Sequence, residues 1–373
     1  MRFPSQRPVS RRAAITGLVG LGAVAAAPVA LVSCSGESPL SLPDPLVRQV
    51  LQRQVRRMAD ATREDYLQDG QLHVLLAGTG SPEPGSTRAG ACVAVLVAGR
   101  TFVFDSGPGS PARMLAAGVP LTSVSDVFLT HYHSDHLNGL PELSVQRWVT
   151  GKATSPLVVH GPTGSRSGVA EVVAGFNQGM LADREMRMAN QPDRLGDPAS
   201  GLLQARSFGV QGQDAVRVYA DGDGVVIDAF LVDHGPVKPA VGYRLSYAGR
   251  SMVVSGDTAK SANLARHSRK ADLLVHEAMD KQSVRDGVAA LRGLGVNDRA
   301  DQFESTLRYH SSFADAAEVA AEAEVAELVY THIIPDPPNA LARNLFLQRS
   351  RCIFDGDRAI AEDGDWWHLT PQI

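Results

Sequence analysis

The sequence predicts an α/β domain in which two β-sheets pack face to face with helices on their outer surfaces. Three observations lead there. Short apolar runs of strand length, divided by glycine-bearing turns, recur from Gln71 onward. Helical patterns fall between these runs rather than in a block of their own. Several runs also end directly in a histidine or aspartate, the placement expected of ligands mounted at one edge of a sheet.

Taken in order, the first 34 residues read as an address. A positive stretch ending in Ser10-Arg11-Arg12 meets an uncharged segment, Ala13 to Ser33, which closes in Leu31-Val32-Ser33-Cys34. The Arg11-Arg12 pair resembles a twin-arginine export signal, and Leu31 to Cys34 resembles a lipobox whose cysteine carries lipid after cleavage. These features predict a lipoprotein held outside the cytoplasmic membrane by Cys34; a plain membrane-spanning anchor is the alternative. Ser35 to Pro45, rich in Ser and Pro, reads as a tether. Leu46 to Glu64 has apolar residues near helical spacing, so a helix is expected before the catalytic domain, which runs from residue 70 to 373.

Strands are expected at His73 to Ala77, Cys92 to Val97, Thr101 to Phe104, Asp126 to Thr130, Gly224 to Val232, Val241 to Tyr247, Ser251 to Ser255 and Asp272 to His276. Helices are expected at Pro111 to Ala117, Gly164 to Gly175, Ala259 to Arg269 and Ser312 to Ala323, the last opened by Ser312-x-x-Asp315. At 373 residues and 44% hydrophobic content the chain can bury a full core. Its net charge of −4 provides no global basic field for a polyanion. With Cys34 lipidated, Cys92 and Cys352 are too few for a disulfide framework, and spacing leaves open whether they pair.

The chemistry concentrates in Thr130-His131-Tyr132-His133-Ser134-Asp135-His136, directly after an apolar strand. Three imidazoles and a carboxylate within six residues are the nitrogen and oxygen donors that first-row metals take from protein. A solvated histidine turn is the bland alternative, but the register of four donors at a strand end opposes it. One run cannot complete two coordination shells. His234, Asp257 and His332 each follow a further apolar run, and the repeated placement marks them as the remaining donors.

His131-x-His133-x-Asp135-His136 followed by His234, Asp257 and His332 resembles the metallo-β-lactamase superfamily, from about Gly70 to the C-terminus. Gly78-Thr79-Gly80, Phe104-Asp105-Ser106-Gly107, His160-Gly161-Pro162-Thr163-Gly164, Gly256-Asp257-Thr258 and His276-Glu277-Ala278 resemble its ribonuclease Z branch more narrowly. The resemblance implies an αββα sandwich with two divalent metal ions at one edge. His131, His133 and His234 would hold one ion, Asp135, His136 and His332 the other, and Asp257 would bridge them. Zinc suits this nitrogen and oxygen set, which would also accept iron or manganese. A hydroxide between the two ions is the expected nucleophile, and Asp135 counts among the catalytic residues.

Asp105 is expected to accept a hydrogen bond from a ligand imidazole and fix its tautomer. Glu277 and His310 resemble the pair that passes a proton to the leaving group in ribonuclease Z. The chain departs from that branch at Met279, where threonine is usual, and in an expanded Asp280 to Tyr309 segment. His73, His160, His267 and His368 read as structural.

A ribonuclease Z also needs a basic, glycine-rich arm after the Gly-Pro-x-Gly turn, whereas Ser165 to Leu195 is mixed in charge and helical in pattern. The expected substrate is therefore a small anionic ester met outside the cytoplasm, a phosphodiester first and a sulfate ester or lactone second, with no nucleic-acid partner. A non-catalytic metal-binding lipoprotein is the alternative of another class, opposed by the retention of every donor position.

Overall fold

The computed structural model describes residues 48–53, 62–150, 153–164 and 166–372. The chain divides into two compact units, Met1–Arg56 and Arg57–Ile373. In the first unit, residues 48–53 are described and are helical. The export segment, Cys34 and the tether lie outside the described residues. The helix expected over Leu46 to Glu64 does not reach its end: Thr62–Glu64 are not helical, because the Arg63 backbone N–H donates to the Gly118 carbonyl at 2.8 Å and so leaves the helical ladder. Among the described residues no helix is long and apolar enough to cross a membrane.

In the second unit the strands are β1 (Leu72–Gly78), β2 (Cys92–Val97), β3 (Arg100–Phe104), β4 (Val124–Phe128), β5 (Leu157–Pro162), β6 (Leu203–Phe208), β7 (Val216–Ala220), β8 (Val226–Leu231), β9 (Val241–Tyr247), β10 (Arg250–Val254), β11 (Leu273–Met279), β12 (Glu327–Ile334), β13 (Asp357–Ile360) and β14 (Asp365–Leu369). They form two sheets, ordered β14-β1-β2-β3-β4-β5-β6 and β13-β12-β11-β10-β9-β8-β7. From β14 to β6 three antiparallel pairings are followed by three parallel ones. From β7 to β13 the same succession recurs. The two halves therefore share a pairing plan that no sequence repeat announces, and the C-terminal β14 supplies the edge strand of the first half.

The strands β1, β2, β10 and β11 are buried on both faces, which is why each reads as a nearly continuous apolar run. In β1, Leu72, Val74 and Leu76 enter the core between the sheets, while Leu75 and Ala77 meet the outer helices. In β10, Met252 and Val254 face inward and Val253 packs on the helices of the other side. Every fully buried Leu, Val or Phe contributes about 1.5–3 kcal/mol. The sequence pattern marks none of β6, β7, β13 and β14, and these are the four edge strands. Their residues are largely part-exposed or exposed, so no apolar run forms. β5 is also unmarked, its run being cut short by His160-Gly161-Pro162.

Parallel pairings require crossovers, and helices supply them. Ser110–Ala116, Leu140–Val149 and Val169–Gly179 serve the first half; Ala262–His267, Phe313–Glu322 and Ala340–Gln348 serve the second. The helix expected from Gly164 starts at Val169 instead, where the Glu171 carboxylate accepts from the Gly168 N–H at 2.7 Å. The cap read at Ser312 is present: Ser312 Oγ accepts from the Asp315 N–H at 3.0 Å, and Asp315 accepts from the Ser312 N–H at 2.8 Å. The expanded Asp280 to Tyr309 segment forms a helical hairpin, Lys281–Gly293 and Asn297–Thr306. Val284, Val288 and Ala300 of this hairpin pack on Met279 and Ile334.

One side chain links the second sheet to the start of the histidine run. Tyr243 on β9 is fully buried, and its hydroxyl donates to the Leu129 carbonyl at 2.5 Å. Tyr243→Phe would strand that carbonyl in the core, so unfolding stability should fall by about 1–3 kcal/mol. Urea denaturation checks this: a lower midpoint at unchanged slope is expected, and an unchanged midpoint would show that the link carries no load.

Candidate metal centre

The centre is built at strand ends. After β4, Thr130 donates through its N–H to Asp105 Oδ1 and through its hydroxyl to Asp105 Oδ2, both at 2.8 Å. The Thr130 carbonyl accepts from the Val241 N–H at 3.0 Å. His131 thus leaves a segment fixed to both sheets. His133 stands at the entry to the single turn Ser134–Leu137, which carries Asp135 and His136. Gly107 permits this turn to seat, since a Cβ there would lie 2.2 Å from the Asp135 carbonyl oxygen.

The later donors arrive by sharp backbone departures. His332 has φ 46, in the left-handed region that non-glycine residues seldom adopt. It is the extra residue where the β11–β12 register slips, with Glu277 opposite Thr331 and Ala278 opposite Ile333. Such a bulge re-aims one side chain out of the alternation. Asp105 is likewise left-handed, φ 58. Strained non-glycine conformations of this kind concentrate at functional sites.

The seven expected donors fall into two groups, His131, His133, His234 and Asp257, and Asp135, His136 and His332, while a third grouping brings His310 to Asp257 and His332. Within each, the ligand atoms lie within 4.8 Å of one another. Asp257 Oδ2 stands between the groups, 3.4 Å from His136 Nε2, 3.5 Å from His332 Nε2, 3.8 Å from His234 Nε2 and 3.9 Å from His131 Nε2. Asp135 Oδ2 is 3.2 Å from His332 Nε2 and 3.3 Å from His136 Nε2. All seven donors expected from the sequence are therefore brought together.

Three of the imidazoles are oriented from behind. The Nδ1 atoms of His131, His136 and His234 meet Thr130 Oγ1 at 3.0 Å, Asp105 Oδ2 at 2.8 Å and the Tyr309 carbonyl at 3.1 Å. Donation from Nδ1 to the Tyr309 carbonyl leaves the inward Nε2 of neutral His234 with a free lone pair, and His136, held against its burial well above the ordinary imidazole value by Asp257 and Asp105, gains one on losing its Nε2 proton. The Nε2 atoms of His131, His136 and His234, together with Asp257 Oδ1, are buried without a hydrogen-bond partner. Orphaned polar atoms of this kind cost about 1–3 kcal/mol each. Their convergence fits divalent ions held by nitrogen and oxygen.

Protonation follows from the surroundings. Burial pushes His131 well below the ordinary imidazole value and His234 down to about 4, which keeps both in the neutral, ligating form. Against its burial, His332 is lifted to about 9, chiefly by Asp257 and by its bond to Asp135. Burial works against ionisation of Asp257 too, but the charges of His332 and His136 hold its carboxyl well below the usual range. Ion uptake at this cluster is therefore coupled to proton release.

Glu277 and His310 form a pair beside the donors. Glu277 Oε1 is 2.8 Å from His310 Nδ1 and accepts from the Thr258 N–H at 2.8 Å. The His310 ring stacks on His332 with 5.6 Å between centroids. Burial, reinforced by Asp257, raises Glu277 well above the carboxylate range; burial lowers His310 to about 4. The proton between them thus rests on Glu277, which donates to Nδ1 and leaves the Nε2–H of His310 as a donor on the far side of the ring.

The remaining histidines lie elsewhere. His160 bonds Asp126 at 2.7 Å and stacks on Phe128. His73 and His368 pair with each other across β1 and β14, and His267 meets the Gln213 carbonyl. Cys92 and Cys352 are both free. Two contributors had no role assigned from the sequence. Thr130 could have been found from its place beside His131, whereas the Tyr309 carbonyl has no sequence signal at all.

Asp105→Asn keeps the shape but replaces one acceptor oxygen with a donor, so the side chain cannot accept all three bonds, from the Thr130 N–H, the Thr130 hydroxyl and His136 Nδ1. Zinc affinity, measured by competition with a chromogenic chelator, should fall about 10- to 100-fold. Unchanged affinity would reduce Asp105 to a loop brace.

Residues 87–332 match the family model described as metallo-beta-lactamase superfamily, a span containing every donor from His131 to His332. Ribonuclease Z of Mycobacterium sp. (strain KMS) is 36% identical over 265 residues, covering 71% of this chain and 85% of that protein. Ribonuclease Z of Mycobacterium bovis (strain BCG / Pasteur 1173P2) is 35% identical over 266 residues, covering 71% and 86%. In fold, the chain is similar to the metallo-beta-lactamase fold protein YhfI from Bacillus subtilis, with a TM-score of 0.57 at 19% identity, over 80% of this chain and 99% of that one. It is similar also to the short form of human tRNase Z, with a TM-score of 0.53 at 20% identity and coverage of 80% and 99%. The chain, an α/β sandwich with its donors at one edge, is a metal-dependent hydrolase and belongs to the ribonuclease Z-like branch of the metallo-beta-lactamase superfamily.

Proposed function

We propose that the protein hydrolyses a small phosphodiester at a two-metal site, with zinc as the metal. The observation that carries this reading is the position of Asp257 Oδ2 between two donor groups, with the Glu277–His310 pair alongside. Two divalent ions bound there would lower the pKa of a shared water and offset the charge of the ester. In the reaction water adds to phosphorus and the bond from phosphorus to the leaving oxygen breaks. His310 gives its proton to that oxygen and recovers one through Glu277. The water's proton passes to Asp135 and on to solvent, so the products are an alcohol and a phosphate monoester. A leaving alkoxide needs such a donor, which favours phosphodiesters over sulfate esters, and both over lactones.

The mycobacterial relatives carry the name ribonuclease Z, and this supports RNA as a second reading. Against it stands the segment after the Gly-Pro-x-Gly turn, which is occupied by the helices Val169–Gly179 and Leu181–Asn190. The six charged side chains of the second helix and its flank, Asp183, Arg184, Glu185, Arg187, Asp193 and Arg194, balance in charge, which supports a substrate other than a polyanion.

Elemental analysis paired with turnover of a chromogenic phosphodiester tests the proposal. About two zinc ions per chain and loss of turnover on chelation are expected. His310→Ala and Glu277→Gln should lower turnover about 10²- to 10⁴-fold on an alkyl leaving group and far less on 4-nitrophenolate, which departs without a proton. Metal-replete protein with no bound ion would favour the non-catalytic alternative, and bound ions without phosphodiester turnover would favour sulfate esters.

We further infer export through the Arg11-Arg12 segment and a lipid anchor on Cys34. Metabolic labelling with a fatty-acid probe should mark the wild type and spare Cys34→Ser, which should move from the membrane to the soluble exported fraction. Retention of an unlabelled wild type in the cytoplasm would refute the anchor.

A further inference from the structure

We propose that Tyr309 walls a subsite for the leaving group and selects esters whose leaving group is aromatic. This rests on the phosphodiesterase reading above. The Tyr309 ring is half-buried and borders two rings of the centre. Its centroid is 5.2 Å from that of His234, at 82°, and 5.1 Å from that of His310, at 49°. His234 belongs to one donor group, and His310 is the residue that meets the leaving oxygen. The substituent carried by that oxygen therefore extends from His310 along the neighbouring surface, which Tyr309 forms.

The ring is held in place from several sides. Gly235, left-handed at φ 57, lies against it so closely that a Cβ would come within 2.9 Å of Tyr309 Cβ. The Tyr309 N–H donates to the Thr306 carbonyl at 3.2 Å, and its hydroxyl is 3.5 Å from Ser305 Oγ. Both partners lie on the second helix of the Lys281–Thr306 hairpin, so the inserted hairpin sets the position of the ring. A fixed, partly exposed aromatic face loses little entropy on contact and favours a second ring stacked or edge-on. A flexible alkyl group gains less from it.

Methyl phenyl phosphate and methyl hexafluoroisopropyl phosphate share one core and have leaving groups of similar acidity, one aromatic and one not. With the full zinc-loaded chain, Tyr309→Ala should lower kcat/KM on the phenyl ester by roughly tenfold more than on the other ester, the difference arising mainly through KM. Tyr309→Phe should retain the preference, and zinc content should be equal in all three proteins. By calorimetry the wild type should bind phenylphosphonate more tightly than methylphosphonate, an advantage that Tyr309→Ala loses. Equal loss on both esters, or no loss, would overturn the proposal and leave Tyr309 as packing for His234. If the wild type turned over neither ester yet still preferred phenylphosphonate, the phosphodiesterase reading would fall and the aromatic subsite would stand.

Discussion

The structure turns on the gathering of seven nitrogen and oxygen donors, all but His133 buried, around Asp257 Oδ2. Left alone, such a cluster opposes folding, because inward-facing Nε2 atoms and a buried carboxylate oxygen lack partners. Everything behind the cluster resists its relaxation. Asp105 takes three hydrogen bonds at once, two from Thr130 and one from His136. The Tyr309 carbonyl and Thr130 Oγ1 fix two further rings. The orphaned faces are thus held toward one another instead of turning to solvent, which is the preorganisation a bound ion exploits.

Both sheets are needed to hold that arrangement. Thr130 meets Asp105 from its own sheet and Val241 from the other, and Tyr243 ties the second sheet to Leu129 one residue earlier. Donors on either side of the interface are therefore placed by a single packed core, in which the residues alternate between the neighbouring sheet and the outer helices. The strain at Asp105 and His332 is sustained by this surrounding order.

The two halves of the molecule share a pairing plan, and their differences lie in what joins the strands. The first half places the helices Val169–Gly179 and Leu181–Asn190 between β5 and β6. The second half places the Lys281–Thr306 hairpin between β11 and β12, where it leads into Tyr309 and His310. A common frame with variable connections lets the same donor set be served by different walls, which is where substrate choice is made.

The sequence alone marked the candidate donors and, β5 apart, the interior strands of the fold. His131 to His136 are adjacent in the chain, and His234, Asp257 and His332 each close an apolar run, so both the ligands and the central strands that mount them are local patterns. The capped helix at Ser312 was legible for the same reason. The edge strands β6, β7, β13 and β14 were not, because strands with one partner and solvent-facing side chains lack the apolar run that marks an interior strand. Tertiary structure alone decided the rest. It put Asp257 at the midpoint of two groups, turned His332 inward through a bulge, and gave the Tyr309 carbonyl to His234 and its ring to the rim. Each of these depends on residues about 50 or more positions apart meeting in the packed core, and no local pattern encodes such a meeting.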